Sequence, residues 1–492
     1  MATESGSKFP ASIYRDTVLT HVFEDAKRLF LPAMIEIDYA HLLMLTEQKI
    51  VSREAARACF AALDSLDLDA IRVAEYDGSV EDLFFLIERK LAAMCGAENA
   101  GRIHTARSRN DIDMTMYRMV LRARLLSVAE AVIALRARLL EIASEHRNAL
   151  MPAYTHNQPA QPTIMGHYLM AMVEVLERDT ERLIAAYARV NRCPLGACAI
   201  TTTGFPIKRG RTAELLGFSG LQVNSYGAIA SVDYLTESCS VLATAMVNLG
   251  RFVQEMLLWS TAEFGFLRLS DAYVQISSIM PQKRNPVPLE HVRILASRSM
   301  SESQAVLNSL HNTPFADMND SEDSLQPLVD LAFHDGLRAL TLLEGALSEA
   351  TFDTARMEQR AQGDFLPVTE LADTLAREGG IPFHQAHTIV SSAVRVLNGV
   401  YDRDRMVAFV TNALKEAGVT PLEENRLRLA LDARNFVAVR TVIGGPAPSA
   451  LNPEIARAEH QRTDDAAWCE AQRRHLQEAH EKLHTAAKAL AE

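Results

Sequence analysis

No stretch of this 492-residue chain approaches 18 consecutive apolar residues, so the sequence marks no membrane-spanning helix. The opening residues, Met1 to Ser7, are polar and acidic and lack the apolar run of a secretory signal. Basic charge is short as well. Fifty Lys and Arg stand against 62 Asp and Glu, a formal net charge of −12, which leaves no electrostatic footprint for nucleic acid. The six cysteines (Cys59, Cys95, Cys193, Cys198, Cys239 and Cys469) contain no C-x-x-C pair, so neither a disulfide framework nor a zinc site is indicated. A reducing cytoplasm is the expected compartment and a small molecule the expected partner.

Helix breakers are missing where it matters most. From Arg102 to Met151 there is no Gly and no Pro. Inside that span Leu121, Leu125, Val128, Val132, Leu135, Leu139 and Ile142 recur at alternating spacings of 4 and 3, a heptad seam. After Gly166 a second seam follows, through Leu169, Val173, Leu176, Thr180, Leu183, Tyr187 and Val190. Breaker-free runs also extend from Ala228 to Leu249 and from Leu289 to Thr313. Strand signals are nearly absent, so the fold class is all-α. Helices of ~40 residues run ~60 Å, beyond the width of a small domain, and their sides are most easily buried against other copies. A homo-oligomer is therefore expected. The texture divides the chain into an N-terminal helical region (1–108), a long-helix bundle (109–355) and a C-terminal helical region (356–492). In the last, Thr369, Leu371 and Leu375 start a helix that Gly379-Gly380-Ile381-Pro382 stops.

Three polar segments interrupt the helices. The first, Gly101 to Asp111, packs Arg102, Arg107 and Arg109 with hydroxyls and amides just ahead of the longest helix. It reads either as a capped helix start with solvated charges or as an anion site made of guanidinium forks and helix N-terminal amides. The second, Met151 to Pro159, sets His156 in a polar loop between prolines, as a solvated side chain or a proton shuttle. The third, Gln275 to Pro286, joins Ser277 and Ser278 to Lys283 and Asn285. It is an ordinary linker into a Pro-started helix or a catalytic loop; no glycine-rich cradle accompanies the lysine, so a nucleotide is not indicated.

Ser277-Ser278-Ile279-Met280-Pro281-Gln282-Lys283-Arg284-Asn285-Pro286 resembles the signature loop of the aspartase/fumarase superfamily. His104-Thr105-Ala106-Arg107-Ser108-Arg109-Asn110-Asp111, Tyr154-Thr155-His156 and the stretches Leu371 to Leu375 and Pro382 to His387 resemble argininosuccinate lyases within it. The resemblance implies a three-domain all-α fold and a homotetramer with a shared central bundle, each site built from three subunits. It implies a carbon–nitrogen lyase that releases fumarate from an N-substituted aspartate without a cofactor. Ser277 then matches the general base, with Ser278 as the alternative, and Lys283 and Asn285 match the groups that hold the dianionic intermediate. His156 matches the family's histidine, acting directly or indirectly on the leaving amine, and Glu290 the carboxylate that orients it. Ser108, Arg109, Asn110 and Thr155 would hold the substrate carboxylates.

The pattern departs from argininosuccinate lyases at the amine end. Ile112 stands where those enzymes carry Gln, and Asp317, Glu322 and Leu325 stand where they carry Tyr, Gln and Lys. Two carboxylates gained and a lysine lost suit a cationic amine without the arginine carboxylate. In this the chain is most similar to ethylenediamine-disuccinate lyases, with argininosuccinate lyase as the second expectation. Two further readings of the resemblance, a lens structural protein that lost catalysis and an adenylosuccinate lyase, are opposed respectively by the presence of Ser277, His156 and Lys283 and by the His104 to Asp111 motif. The pairs His384/His387 and His480/His484 have helical ligand spacing but no acidic or cysteine partner joins them, and Asp317 to Asp323 lacks the glycine of a calcium loop, so no metal is expected.

Overall fold

The computed structural model describes residues 9–491. The opening stretch Met1 to Ser7 lies outside them. Helix accounts for 69% of the chain, with little sheet. The elements that position the site are α1 (Leu31–Glu47), α2 (Arg109–Glu145), the hairpin β1 (Leu150–Thr155) and β2 (Gln158–Ile164), α3 (Met165–Val190), α4 (Asp233–Trp259), the short pair β3 (Gln275–Ile276) and β4 (Arg284–Asn285), α5 (Val287–Leu310), α6 (Gln326–Ser348), α7 (Val368–Gly379) and α8 (Pro448–Ala491).

Both heptad seams are buried along their whole length, from Leu121 to Ile142 on α2 and from Leu169 to Val190 on α3. Side-chain contacts fix how the long helices run. Arg122 of α2 bonds Asn191 just past α3, and Arg136 bonds Thr180, so α2 and α3 are antiparallel. Arg124 pairs with Asp330 and Arg138 with Glu344, in step, so α6 runs parallel to α2. Ser299 of α5 donates to the Ala332 carbonyl of α6, and Arg298 reaches Asp335. Alternating rows of the bundle thus carry its two ends in register. Helix α4 is long and apolar enough by composition to cross a membrane, but in this fold it packs in the bundle, where Leu242 and Met246 close on Gly336 of α6.

A second apolar core gathers Leu371, Leu375, Val390, Leu397, Met406, Val410 and Leu427 apart from the main one. Helix α7 stops at Gly380, whose φ of +69° is the left-handed conformation that glycine adopts without a Cβ clash. The 44-residue α8 then returns to the bundle, burying Leu451, Ala458, Cys469 and Leu483 in the main core. Arg136 of α2, fully buried, ties it there through Asp465, and Arg457 of α8 pairs with Glu177 of α3. All six cysteines are free thiols.

One local reading changes. Met151 to Pro159, read as a polar loop, belongs to an antiparallel hairpin in which Leu150 pairs with Ile164 and Thr155 with Gln158. His156 and Asn157 form its two-residue turn with φ of +52° and +60°. Positive φ at both central residues matches the twist of the flanking strands, and asparagine tolerates it well. Pro152, Pro159 and Pro162 sit in a ribbon of only two strands, where a missing N–H is easily spared.

Candidate active site

The Ser108 turn is a capped helix start built on buried charge. Ser108 accepts the Asn110 N–H, and Asp111 accepts the Ser108 N–H at 2.8 Å, a reciprocal capping box. Asp111 is fully buried and also accepts the Gly196 and Cys198 amides at 2.7 and 2.9 Å. Burial pushes its carboxyl up to about 6 against the pull of those amides. Below the turn, buried Arg107 pairs with Asp38 at 2.6 Å. His41, held neutral by burial and by Arg107, donates through Nε2 to the Thr105 carbonyl at 2.8 Å. The backbone that presents Ser108, Arg109 and Asn110 is anchored from three sides.

What these residues face is acidic. Arg109 pairs with Asp82 and, at 3.0 Å, with Asp113; Asp323 lies 3.9 Å away. Burial works against its charge, yet Asp113 and Asp323 outweigh that and hold its pKa above the usual range. The Asn110 amide donates to Asp317, and Tyr117 donates to Asp323. The other Asp317 oxygen is buried without a partner. Burial raises the Glu322 carboxyl well above the glutamate range, with Asp317 the next cause; burial raises Asp113 likewise, against Arg109 and aided by Asp323. Five carboxyl groups with one guanidinium among them form a site that a further cation would relieve. Leu325 is turned into the core at 6% exposure. Of this cluster, sequence reading names Arg109, Asn110, Asp317 and Glu322, gives Asp323 only as the end of an acidic run, and misses Asp82, Asp113 and Tyr117. The four-residue step from Arg109 to Asp113 on one helix was the available signal.

The remaining expected residues stand elsewhere. Thr155 and His156 are exposed at the hairpin tip, beyond the C-terminal end of α2. Ser277 to Lys283 form an exposed loop closed by the β3–β4 pairing, which Asn285 reinforces by donating to the Gln275 carbonyl at 2.9 Å. Ser277 Oγ accepts the Met280 and Ile279 amides at 3.0 and 3.4 Å, while Ser278 and Lys283 point to open surface. Glu290 is exposed in the first turn of α5. Among the described residues the histidine–carboxylate pairs involve His104, His146, His460, His480 and His484, so none joins His156 to Glu290 within one chain. Helix α2, 37 residues long, separates the Ser108 end from the hairpin by ~55 Å. One chain therefore brings Ser108, Arg109, Asn110 and Asp317 together and does not bring them to His156. The loop of Ser277 precedes α5, whose partner helix α6 begins beside Asp317 and runs away from it, so that loop also lies at the hairpin end.

Comparison with known proteins shows the family. A lyase family matches residues 32–301, and an argininosuccinate lyase C-terminal family matches residues 365–438. Argininosuccinate lyase 2 of Agrobacterium fabrum is 43% identical, covering 92% of this chain and 90% of its own. Argininosuccinate lyase of Methanoculleus marisnigri is 39% identical and covers 93% of each. Among solved structures, EDDS lyase in complex with formate superposes with a TM-score of 0.84 at 32% identity, over 99% of this chain and 97% of that one. An EDDS lyase variant with bound fumarate gives 0.85 at the same identity and coverage. A fumarate lyase from Mesorhizobium sp. BNC1, at 18% identity, 92% and 98% coverage and a TM-score of 0.70, shares the fold.

Proposed function

We infer the reaction from one premise: this chain belongs to the lyase family that includes the argininosuccinate lyases. It is a carbon–nitrogen lyase that forms fumarate. The substrate we propose is an aspartate whose nitrogen carries a cationic aminoalkyl group, such as ethylenediamine-disuccinate or N-(2-aminoethyl)aspartate. The observation that carries this reading is the contact of Asn110 with Asp317 beside Glu322, which puts unpaired carboxylate at the turn expected to hold substrate. An arginine carboxylate would meet like charge there, with Leu325 in place of a countercharge. Argininosuccinate remains the second reading, favoured by the identity with the curated relatives.

In the proposed chemistry Ser277 removes the proton from the carbon next to the distal carboxylate. Electron density moves onto that carboxylate, where Lys283 and Asn285 stabilise the double charge, and then returns to expel the amine and leave fumarate. The amine departs with a proton supplied through His156, which Glu290 orients. The Met280 and Ile279 amides aimed at Ser277 Oγ support Ser277 over Ser278, because they stabilise charge on that oxygen. Ser108, Arg109, Asn110 and Thr155 are assigned to the carboxylates and Asp317 to the amine. Since one chain separates these groups, the reading requires a homotetramer whose copies share each site, in a cytoplasmic enzyme needing no cofactor. Fumarate absorbance from a panel of N-substituted aspartates tests it. Brisk release from the diamine adducts with argininosuccinate poor is the expected result, and the reverse preference overturns the substrate assignment.

A further inference from the structure

The pair His480/His484, read from sequence without a third ligand, acquires an acidic partner in the fold. Glu36, on α1 and 444 residues from His480, places one carboxylate oxygen 3.1 Å from His480 Nδ1 and the other 2.7 Å from His484 Nε2. The two rings are 4.4 Å apart, and the three candidate ligand atoms all lie within 4.8 Å of one another. A tetrahedral ion held at ~2.0–2.1 Å needs donors ~3.3 Å apart, so the two Glu36–histidine distances already suit it and the two imidazole nitrogens need only close in from their present separation, which is within 4.8 Å. The four-residue histidine step sets both rings on one face of α8. Glu36 is mostly covered, while His480 and His484 keep open edges through which an ion and a water can enter. Tyr39, whose hydroxyl donates to Asp64, packs its ring 4.6 Å from His484 and limits where that imidazole can turn.

We propose that Glu36, His480 and His484 form a binding site for one divalent transition-metal ion of the zinc type, with a water in the fourth position. Two imidazoles and a carboxylate suit such an ion better than calcium or magnesium, which take oxygen ligands. The site joins α1 to α8 on the outside of the bundle and takes no part in elimination. Its ion clamps the last helix to α1 in the main core, so loss of the ion loosens that helix without touching chemistry.

Chelator-stripped full-length protein titrated calorimetrically with Zn2+ is expected to take up one ion per chain saturably and to unfold at higher temperature when loaded. Glu36→Gln and His484→Ala should each weaken uptake at least ~10-fold. Fumarate release should stay unchanged in both, which also shows that the variants fold. Co2+ added to the wild-type protein should give the intense visible absorption of a tetrahedral site, a readout that needs no variant. Absence of saturable uptake, an octahedral Co2+ spectrum, or full binding by the His480→Ala/His484→Ala double variant overturns the proposal.

Discussion

The side-chain amide of Asn110 donates to the carboxylate of Asp317, joining residues 207 apart in sequence at the first turn of the 37-residue helix α2. On the proposed reading Asn110 stands between the two ends of the substrate, with its carboxylates on the Ser108 side and its amine on the Asp317 side. Substitution of Asp317 by Asn should raise KM for N-(2-aminoethyl)aspartate ~10–100-fold while moving kcat little, since one charge-assisted contact is worth ~1.5–3 kcal/mol. Steady-state kinetics on purified variant measures it. An unchanged KM would remove Asp317 from amine recognition.

The loop of Ser277 gives the second prediction. Ser277→Ala should lower kcat at least ~10²-fold with the fold intact, as loss of a positioned base does. Ser278→Ala should cost less, because only Ser277 Oγ receives the Met280 and Ile279 amides. Lys283→Met should fail in both elimination and the reverse addition of amine to fumarate, since the dianion lies on both paths. A milder loss at Ser277 than at Ser278 moves the base by one residue.

How far the sequence discloses this molecule depends on the range of the interaction. Heptad seams such as Leu121 to Ile142 are local and periodic, and their burial follows from their spacing. The capping box of Ser108 and Asp111 spans three residues and is equally readable. The hairpin around His156 was not, because its prolines and its His-Asn turn carry none of the β-branched alternation that marks strands. The acidic cluster shows the same limit. Asp82, the Asp113 and Tyr117 turn of α2, and Asp323 come from three separate places, and only tertiary contacts such as Arg109 with Asp82 and Tyr117 with Asp323 assemble them. Likewise α8 looks like part of a C-terminal region by sequence, and only its buried contacts, such as Asp465 with Arg136, tie it to the bundle.

Glu322 makes stability depend on pH. Burial and Asp317 push its carboxyl up to about 8. An unfolded glutamate titrates near ~4.3, so the folded state binds the extra proton between those values. Its contribution is fully present below ~4.3 and is lost as pH rises to about 8, beyond which it is level. Melting temperature of the wild-type protein should therefore fall, relative to Glu322→Gln, as pH goes from 5 to 8. A diamine substrate analogue should restore part of it at the upper end by replacing the lost proton with its own charge. Parallel curves for the two proteins would show that Glu322 keeps an ordinary pKa.

The last prediction concerns assembly, and it follows from length alone. Helix α2 holds Ser108 and the hairpin of His156 ~55 Å apart, so no motion within one chain unites them. Copies arranged head to tail can, because the Ser108 end of one bundle then meets the hairpin end of another. Exposed Ile276, Ile279 and Met280 on the loop of Ser277, and Ile294 and Met300 along α5, offer apolar surface for such packing. Light scattering should give a mass near ~220 kDa, four chains of 54.4 kDa. A sharper test mixes two inactive variants. Ser277→Ala and Asn110→Ala homo-oligomers, dissociated and reassembled together, should regain activity, because some sites then draw both intact residues from different copies. Neither variant reassembled alone should recover. Activity that stays absent in the mixture, with hybrid formation verified by mass spectrometry, would place each site within a single chain and contradict the geometry of α2.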